Sequence, residues 1–207
     1  MLKIIVYLLL SYLCGAIPFG YIIAKVFKHV DIRTVGSGNP GATNVYRTIS
    51  KPLGILTLLL DLAKGFVPVY FVKLINPETF WIVIAVALVT IIGHVFTVFL
   101  KFKGGKGVAT GCGVFLALSP LSILICFVTF VIILAIFKYV SFASIMAALM
   151  LPISLYYLGS VPELVIFAGI IAILVIVRHA GNIKRLLNGT ENKIFGAKTT
   201  KEEEVKK

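Results

Sequence analysis

The sequence predicts an all-α integral membrane protein, a polytopic bundle of about seven transmembrane helices, and three observations carry that reading. Hydrophobic residues make up 59% of the 207 and charged residues only 14%, well under the roughly 25% of soluble domains. Apolar runs near the roughly 20 residues that cross about 30 Å of hydrocarbon take up most of the chain. When those runs are laid out as alternating crossings, 17 of the 20 lysines and arginines fall on one side of the membrane. That excess marks the side as cytoplasmic, with the amino terminus outside and the carboxyl terminus in the cytoplasm. The net charge of +12 therefore reports orientation and anionic ligands, and no nucleic-acid partner is expected.

The first run covers residues 4–26. It is longer than the roughly 7–15 residue core of a signal peptide and no small-residue cleavage pattern follows it, so it reads as a retained span. The second run, 53–74, carries Asp61 and Lys64 three apart. That spacing puts both on one helix face as an ion pair between packed helices, because a lone charge in the bilayer is costly. The third, 80–100, holds His94 near its cytoplasmic end, expected as a packed, hydrogen-bonded histidine. A short run at 108–118 is followed by 121–137, 140–158 and 164–177, with tight links at 118–120, 138–139 and 159–162. If 108–118 lies only half in the membrane, the count falls to five or six. Pro18, Pro68 and Pro152 read as kinks or span ends.

No room remains for a separate soluble domain, so residues 1–207 are read as a single transmembrane domain, with 186–207 a cytoplasmic amphipathic segment and tail. Ile183, Leu186 and Leu187 recur at helical spacing between Lys184, Arg185 and Asn188, a pattern that lies along the inner surface. Lys198 to Lys207 reads as a solvated, frayed end. Cys14, Cys112 and Cys126 lie in apolar surroundings without paired or metal-like spacing and read as small packing residues.

Three polar, glycine-bearing stretches interrupt this pattern, all on the cytoplasmic side. The first, V-G-S-G-N-P-G-A-T-N-V-Y-R at 35–47, gathers Gly36, Gly38 and Gly41 with Ser37, Asn39, Thr43, Asn44 and Arg47. Glycines permit close approach to a ligand, and open N–H groups in such turns seat an anion, so the stretch reads as a phosphate-binding loop. A plain Gly/Asn/Pro turn between helices is the bland alternative. The second, K-F-K-G-G-K-G at 101–107, sets Gly104, Gly105 and Gly107 beside Lys106 at a helix start, where amides and a mobile cation suit a phosphate. It is not a Walker A loop, because glycine follows Lys106 where Ser or Thr is required. A positive-inside anchor explains its lysines but not its glycines. In the third, R-H-A-G-N at 178–182, a long apolar helix ends in hydrogen-bonding groups, and His179 is either a cap or a catalyst. Together Ser37, Arg47, Lys106, His179 and Asn182 suit a ligand carrying phosphate, with a hydroxyl and an imidazole to spare for chemistry.

There is no HExxH, no CxxC and no carboxylate cluster, so no metal site is expected. No histidine has an aspartate after four intervening residues; Thr34, Phe99 and Lys184 stand there instead, and the H-x4-D acyltransferase signature is absent. No serine sits in a G-x-S-x-G elbow. A membrane transporter for an organic phosphate is the rival reading, although a carrier wants its site near the midplane and these motifs share one face.

The segments G-S-G-N-P-G-A-T-N-V-Y-R at 36–47, G-H-V-F then K-F-K-G-G-K-G-V-A-T within 93–110, and H-A-G-N-I-K-R-L-L-N-G-T-E at 179–191 resemble the three motifs of the bacterial acyl-phosphate:glycerol-3-phosphate acyltransferase (PlsY) family. The resemblance covers nearly the whole chain. It implies a seven-helix enzyme of the bacterial inner membrane that needs no cofactor. Such an enzyme moves a fatty acyl group from acyl phosphate to the 1-hydroxyl of glycerol 3-phosphate, giving lysophosphatidate and phosphate in the first committed acylation of phospholipid synthesis. It implies that Ser37, His179 and nearby N–H groups hold the donor phosphate while Arg47, Lys106 and Asn182 clamp glycerol 3-phosphate. Asn39, Thr43 and Asn44 would shape the first loop, and Gly36, Gly38, Gly104, Gly105 and Gly107 would line the binding sites. Ser37, His179 and Lys106 are the implied catalytic residues. Membrane lipids are the remaining partners expected, and the chain is taken as a monomer with its active site at the cytoplasmic face. Acyl phosphate is already activated, so such an enzyme works by positioning and charge stabilisation. With no carboxylate in sight to orient His179, direct attack is expected over a Ser-His-Asp triad.

Overall fold

A computed structural model describes residues 1–76 and 78–194; the expected frayed end lies outside the described residues. The described chain is all helical: α1 (Leu2–Ala16), α2 (Phe19–Lys28), α3 (Ala42–Thr48), α4 (Lys51–Ile75), α5 (Phe80–Val95), α6 (Val108–Leu118), α7 (Pro120–Phe137), α8 (Val140–Tyr157), α9 (Pro162–Arg178) and α10 (Ala180–Leu187), with one 3₁₀ turn at Val98–Leu100. Helix starts follow local chemistry. Pro120 and Pro162 open α7 and α9, where a missing N–H costs nothing, and the Ser50 hydroxyl caps α4 by accepting from the Leu53 amide at 3.2 Å.

Four stretches, α4, Phe80–Leu100, α7 and α8, are long and apolar enough to cross a membrane, and the bent pairs α1–α2 and α9–α10 bring the number to six. The run at 4–26 is broken at Pro18, as the proline predicts: Ile17 leaves the helical region at ψ 117°, and α1 meets α2 at 41°. A second bend, of 59° at His179, parts α9 from α10, so the amphipathic stretch does not run straight on from the last span. Of the three prolines read as kinks or ends, only Pro18 interrupts a helix; α4 and α8 run on through Pro68 and Pro152. α6, with 11 residues, is about 16 Å of helix, shorter than a full crossing.

The centre is α5, 56% of whose crossing stretch is buried. α1, α4 and α6 surround it, and α8 packs between α7 and α9. Two helix crossings are closed by reciprocal glycines. A Cβ at Gly65 of α4 would overlap the Thr110 carbonyl, and one at Gly113 of α6 would overlap that of Leu62; Gly15 and Gly93 do the same between α1 and α5. In lipid, where apolar burial does not draw helices together, such close backbone contact does. Val69, Val86, Ile91, Val114, Phe115 and Leu155 fill the interior, while Leu59, Phe127, Ile136 and Ile173 face outward as lipid-exposed surface.

Asp61 and Lys64 form the expected pair at 2.7 Å, their side chains each 3% exposed. Lys64 also donates to the Ile17 carbonyl at 2.7 Å, an acceptor set free because the helix stops at Pro18. His94 is buried beside them, but its Nδ1 lies 3.9 Å from Asp61 Oδ1, beyond hydrogen-bond reach. Among the described residues its ring has no hydrogen bond, which corrects the expectation of a hydrogen-bonded histidine.

Candidate active site

The loop after α2 is held by the side chains of its own asparagines. Asn44, buried in the first turn of α3, accepts from the Ser37 amide at 3.0 Å and donates to the carbonyls of Ile32 and Val35 at 3.1 and 3.0 Å. Asn39 accepts from the Gly41 amide at 2.8 Å. Gly36 takes a positive φ of 59° where a Cβ would strike the Asn44 amide group. The amides of Ser37, Gly38 and Gly41 are therefore spent inside the loop, and among the described residues those of Asn39, Ala42 and Thr43, whose residues line the cleft, carry no intramolecular bond. Its geometry also presents the Ser37 hydroxyl, exposed and without a protein partner among the described residues.

The second loop is built alike. Gly104 and Gly105 donate their amides to the carbonyls of Val95 and His94 at 3.1 and 3.2 Å, and their own carbonyls accept from Arg178. Lys106 emerges from this pinned pair. Gly107, at φ 85°, then caps α6, and Val108 and Ala109 of its first turn, whose amides have no intrahelical acceptor, line the same cleft.

At the third stretch the bend between α9 and α10 carries His179 and Asn182 inward. Both are buried. His179 Nδ1 lies 2.8 Å from the Val175 carbonyl, which can only accept; the proton of a neutral ring is therefore assigned to Nδ1, leaving Nε2 as acceptor. Asn182 accepts from the Lys106 ammonium and donates to Glu191 Oε1 at 2.7 Å. Glu191 also accepts from Ser141 at 2.8 Å and Arg185 at 2.7 Å. Arg47 donates to the Asn192 carbonyl at 3.1 Å, and its Nε is buried without a partner among the described residues.

These groups meet in one cleft of about 330 Å³. Ser37, Asn39, Thr43, Asn44, Arg47, Lys106, Gly107, His179 and Asn182 line it, whereas Gly36, Gly38, Gly104 and Gly105 stand behind the wall and shape the loops. Ser141, Arg185, Glu191 and Asn192 also line it and were not expected to. Glu191 had a signal, a lone acid closing a basic motif; Ser141 had none. Tyr46, Asp61, His94 and Ser144 add further polar groups to the wall, while Ile55 and Leu58 of α4 with Phe130 and Leu134 of α7 make an apolar stretch of it. The cleft thus has a cationic end and a greasy one.

Burial, with Arg185, Arg47 and Arg178 nearby, lowers the Lys106 pKa to about 8 against the opposing pull of Glu191. Burial pushes the Glu191 carboxyl up, but hydrogen bonds from Asn182, Ser141 and Arg185 outweigh it and hold the group below its usual value. Arg47 is lowered by burial, partly offset by Glu191. An anion entering here meets buried cations whose hydration has already been stripped.

A family profile described as glycerol-3-phosphate acyltransferase matches residues 5–189. Similar sequences include a glycerol-3-phosphate acyltransferase of Endomicrobium trichonymphae, 53% identical over 94% of this chain and 97% of that one. Another, from Geotalea daltonii, is 48% identical over 91% and 96%. Among solved structures, PlsY, an integral membrane glycerol 3-phosphate acyltransferase, superposes in its glycerol 3-phosphate form with a TM-score of 0.89 at 41% identity, covering 94% of this chain and 96% of that one. Its lysophosphatidic acid form gives 0.87 at 40% identity.

Proposed function

The chain belongs to the glycerol-3-phosphate acyltransferase family, and from that premise we propose how its cleft performs the transfer. It is an integral membrane acyltransferase that converts glycerol 3-phosphate to lysophosphatidate, with acyl phosphate as the donor. Arg47, Lys106 and Asn182 clamp the phosphate of glycerol 3-phosphate. The observation that carries this is the buried Nε of Arg47, unpartnered among the described residues, in the same cleft as the Lys106 ammonium, since an orphaned buried donor awaits an acceptor. Ser37 and the first-turn amides of α6 hold the donor phosphate, and the acyl tail lies between α4 and α7 along Leu58, Phe130 and Leu134. Nε2 of His179, an acceptor, takes a hydrogen bond from the attacking hydroxyl or from a protonated oxygen of the donor phosphate.

The glycerol 1-hydroxyl attacks the acyl carbonyl, the bond from that carbon to the phosphate oxygen breaks, and the departing phosphate takes the hydroxyl proton. Support for direct attack comes from the contacts of the two candidate triad members: the Ser37 hydroxyl rests on no base, and His179 Nδ1 faces a backbone carbonyl, not a carboxylate. The chain acts as a single-domain monomer of seven crossings, the short α6 counted as one, in the bacterial inner membrane, amino terminus outside, with the cleft at the cytoplasmic face; the skew of its lysines and arginines supports this sidedness. Purified protein in detergent, given acyl phosphate and glycerol 3-phosphate, is expected to release lysophosphatidate and phosphate, and to make none with acyl-CoA as donor. Product from acyl-CoA alone would overturn the donor assignment.

A further inference from the structure

A phosphate loop ordinarily works through its backbone amides, yet those of Gly104 and Gly105 are already given to the last carbonyls of α5, at 3.1 and 3.2 Å. The carbonyls of the same two residues receive both prongs of one guanidinium: Arg178 Nη2 donates to Gly104 at 3.2 Å and Nε to Gly105 at 3.3 Å. Neither glycine has room for a side chain. A Cβ at Gly104 would overlap the His94 and Val95 carbonyls, and one at Gly105 the His94 ring. The guanidinium also lies over the Phe96 ring, 5.9 Å from its centroid. The loop is gripped from two sides, and the residue it delivers is Lys106, which reaches Asn182.

Arg178 is the last residue of α9, directly before His179. It does not line the cleft. We propose that Arg178 is a positioning residue for acyl transfer: its fork on the Gly104 and Gly105 carbonyls ties the loop that bears Lys106 to the helix end that bears His179, so that the acceptor clamp and the imidazole keep one spacing. Arginine suits the task because two parallel N–H bonds to neighbouring carbonyls need a planar fork, which a lysine ammonium lacks. His179 is fixed independently, through its backbone amide and ring to Val175, so loss of the tether moves Lys106 and leaves the imidazole in place. The proposal rests on Lys106 being the glycerol 3-phosphate clamp.

Steady-state kinetics of the full chain in detergent test it, with Arg178→Ala, Arg178→Lys, Arg178→Gln, Lys106→Ala and the Arg178→Ala/Lys106→Ala double variant. Arg178→Ala is expected to raise KM for glycerol 3-phosphate about tenfold while KM for acyl phosphate stays within about twofold, since a misplaced clamp weakens acceptor binding alone. The Lys and Gln variants, each able to reach one carbonyl, should fall between. In the Lys106→Ala background, removing Arg178 should add less than about twofold, because a residue acting through another has no separate effect once that other is gone. If Lys106→Ala raises KM but Arg178→Ala does not, or the two effects multiply in full, the tether is wrong and the clamp stands. An unchanged KM in Lys106→Ala overturns the clamp and the tether with it. Should Arg178→Ala fail to fold, the Lys and Gln variants decide alone: no rise in KM in either overturns the proposal.

Discussion

Lys106 shows how one residue's surroundings set its working range. Its pKa of about 8 against a usual 10.5 means that the ammonium is lost as pH rises through 8, where a surface lysine would still be charged. KM for glycerol 3-phosphate should therefore climb above pH 8, and a KM flat to pH 9.5 would contradict the clamp. The effect on folding has the opposite sign. Between about 8 and 10.5 the unfolded chain binds more protons at this residue than the folded one, so its contribution to stability rises with pH over that window. Lys106→Ala should raise KM by about tenfold to a hundredfold, the scale of a lost charge-assisted contact, with a smaller effect on kcat. Ser37 makes a different prediction. Its hydroxyl has no partner to take its proton, so Ser37→Ala should mainly lower kcat, and donor alone should leave no hydroxylamine-sensitive acyl group on Ser37. Trapping such an adduct would refute direct attack. These residues were legible from their types in glycine-bearing motifs; that the amides of Ser37, Gly104 and Gly105 were already paired was not, because amide pairing depends on partners such as Asn44 and His94 that local pattern does not place.

At the level of elements, the decisive features are a broken helix and two glycine-closed crossings. Pro18 frees the Ile17 carbonyl, and Lys64 takes it while pairing with Asp61. Removing one partner strands a buried charge, so Lys64→Met is expected to destabilise by about 3–5 kcal/mol, whereas Asp61→Leu with Lys64→Met should cost much less. Thermal melting in detergent reads both, and equal losses would show that the pair adds nothing beyond packing. Gly113→Leu drives a side chain into the Leu62 carbonyl of α4 and should cost about 1–3 kcal/mol or more by overpacking. The charged pair was visible in the sequence at its spacing of three. The break at Pro18 was legible from the proline itself, whereas the 59° bend at His179 was not placed, since a helical pattern continues past it.

For the molecule as a whole, the cleft draws on α3, α4, the loop before α6, α7, the start of α8 and α10 with the residues after it. Its sidedness can be tested with cysteines placed at exposed sites in a background lacking Cys14, Cys112 and Cys126. Lys28→Cys and Lys103→Cys should react with an impermeant maleimide only in inside-out vesicles, and Tyr157→Cys only in right-side-out ones; the reverse would turn the cleft to the outside. Composition and the lengths of its apolar runs determined by themselves that this chain is a helical membrane protein, and its three motifs pointed to the family and the residues that gather at the site. Those are local properties, summed along the chain. Only the tertiary structure decided that Glu191 and Ser141 complete the polar end, that the Gly104 and Gly105 amides pair with the Val95 and His94 carbonyls, and that Arg178 donates to the carbonyls of the same two glycines. Lys106 and Asn182 are 76 positions apart and Arg47 and Asn192 145, and contacts over such separations are set by which helix ends the bundle brings together.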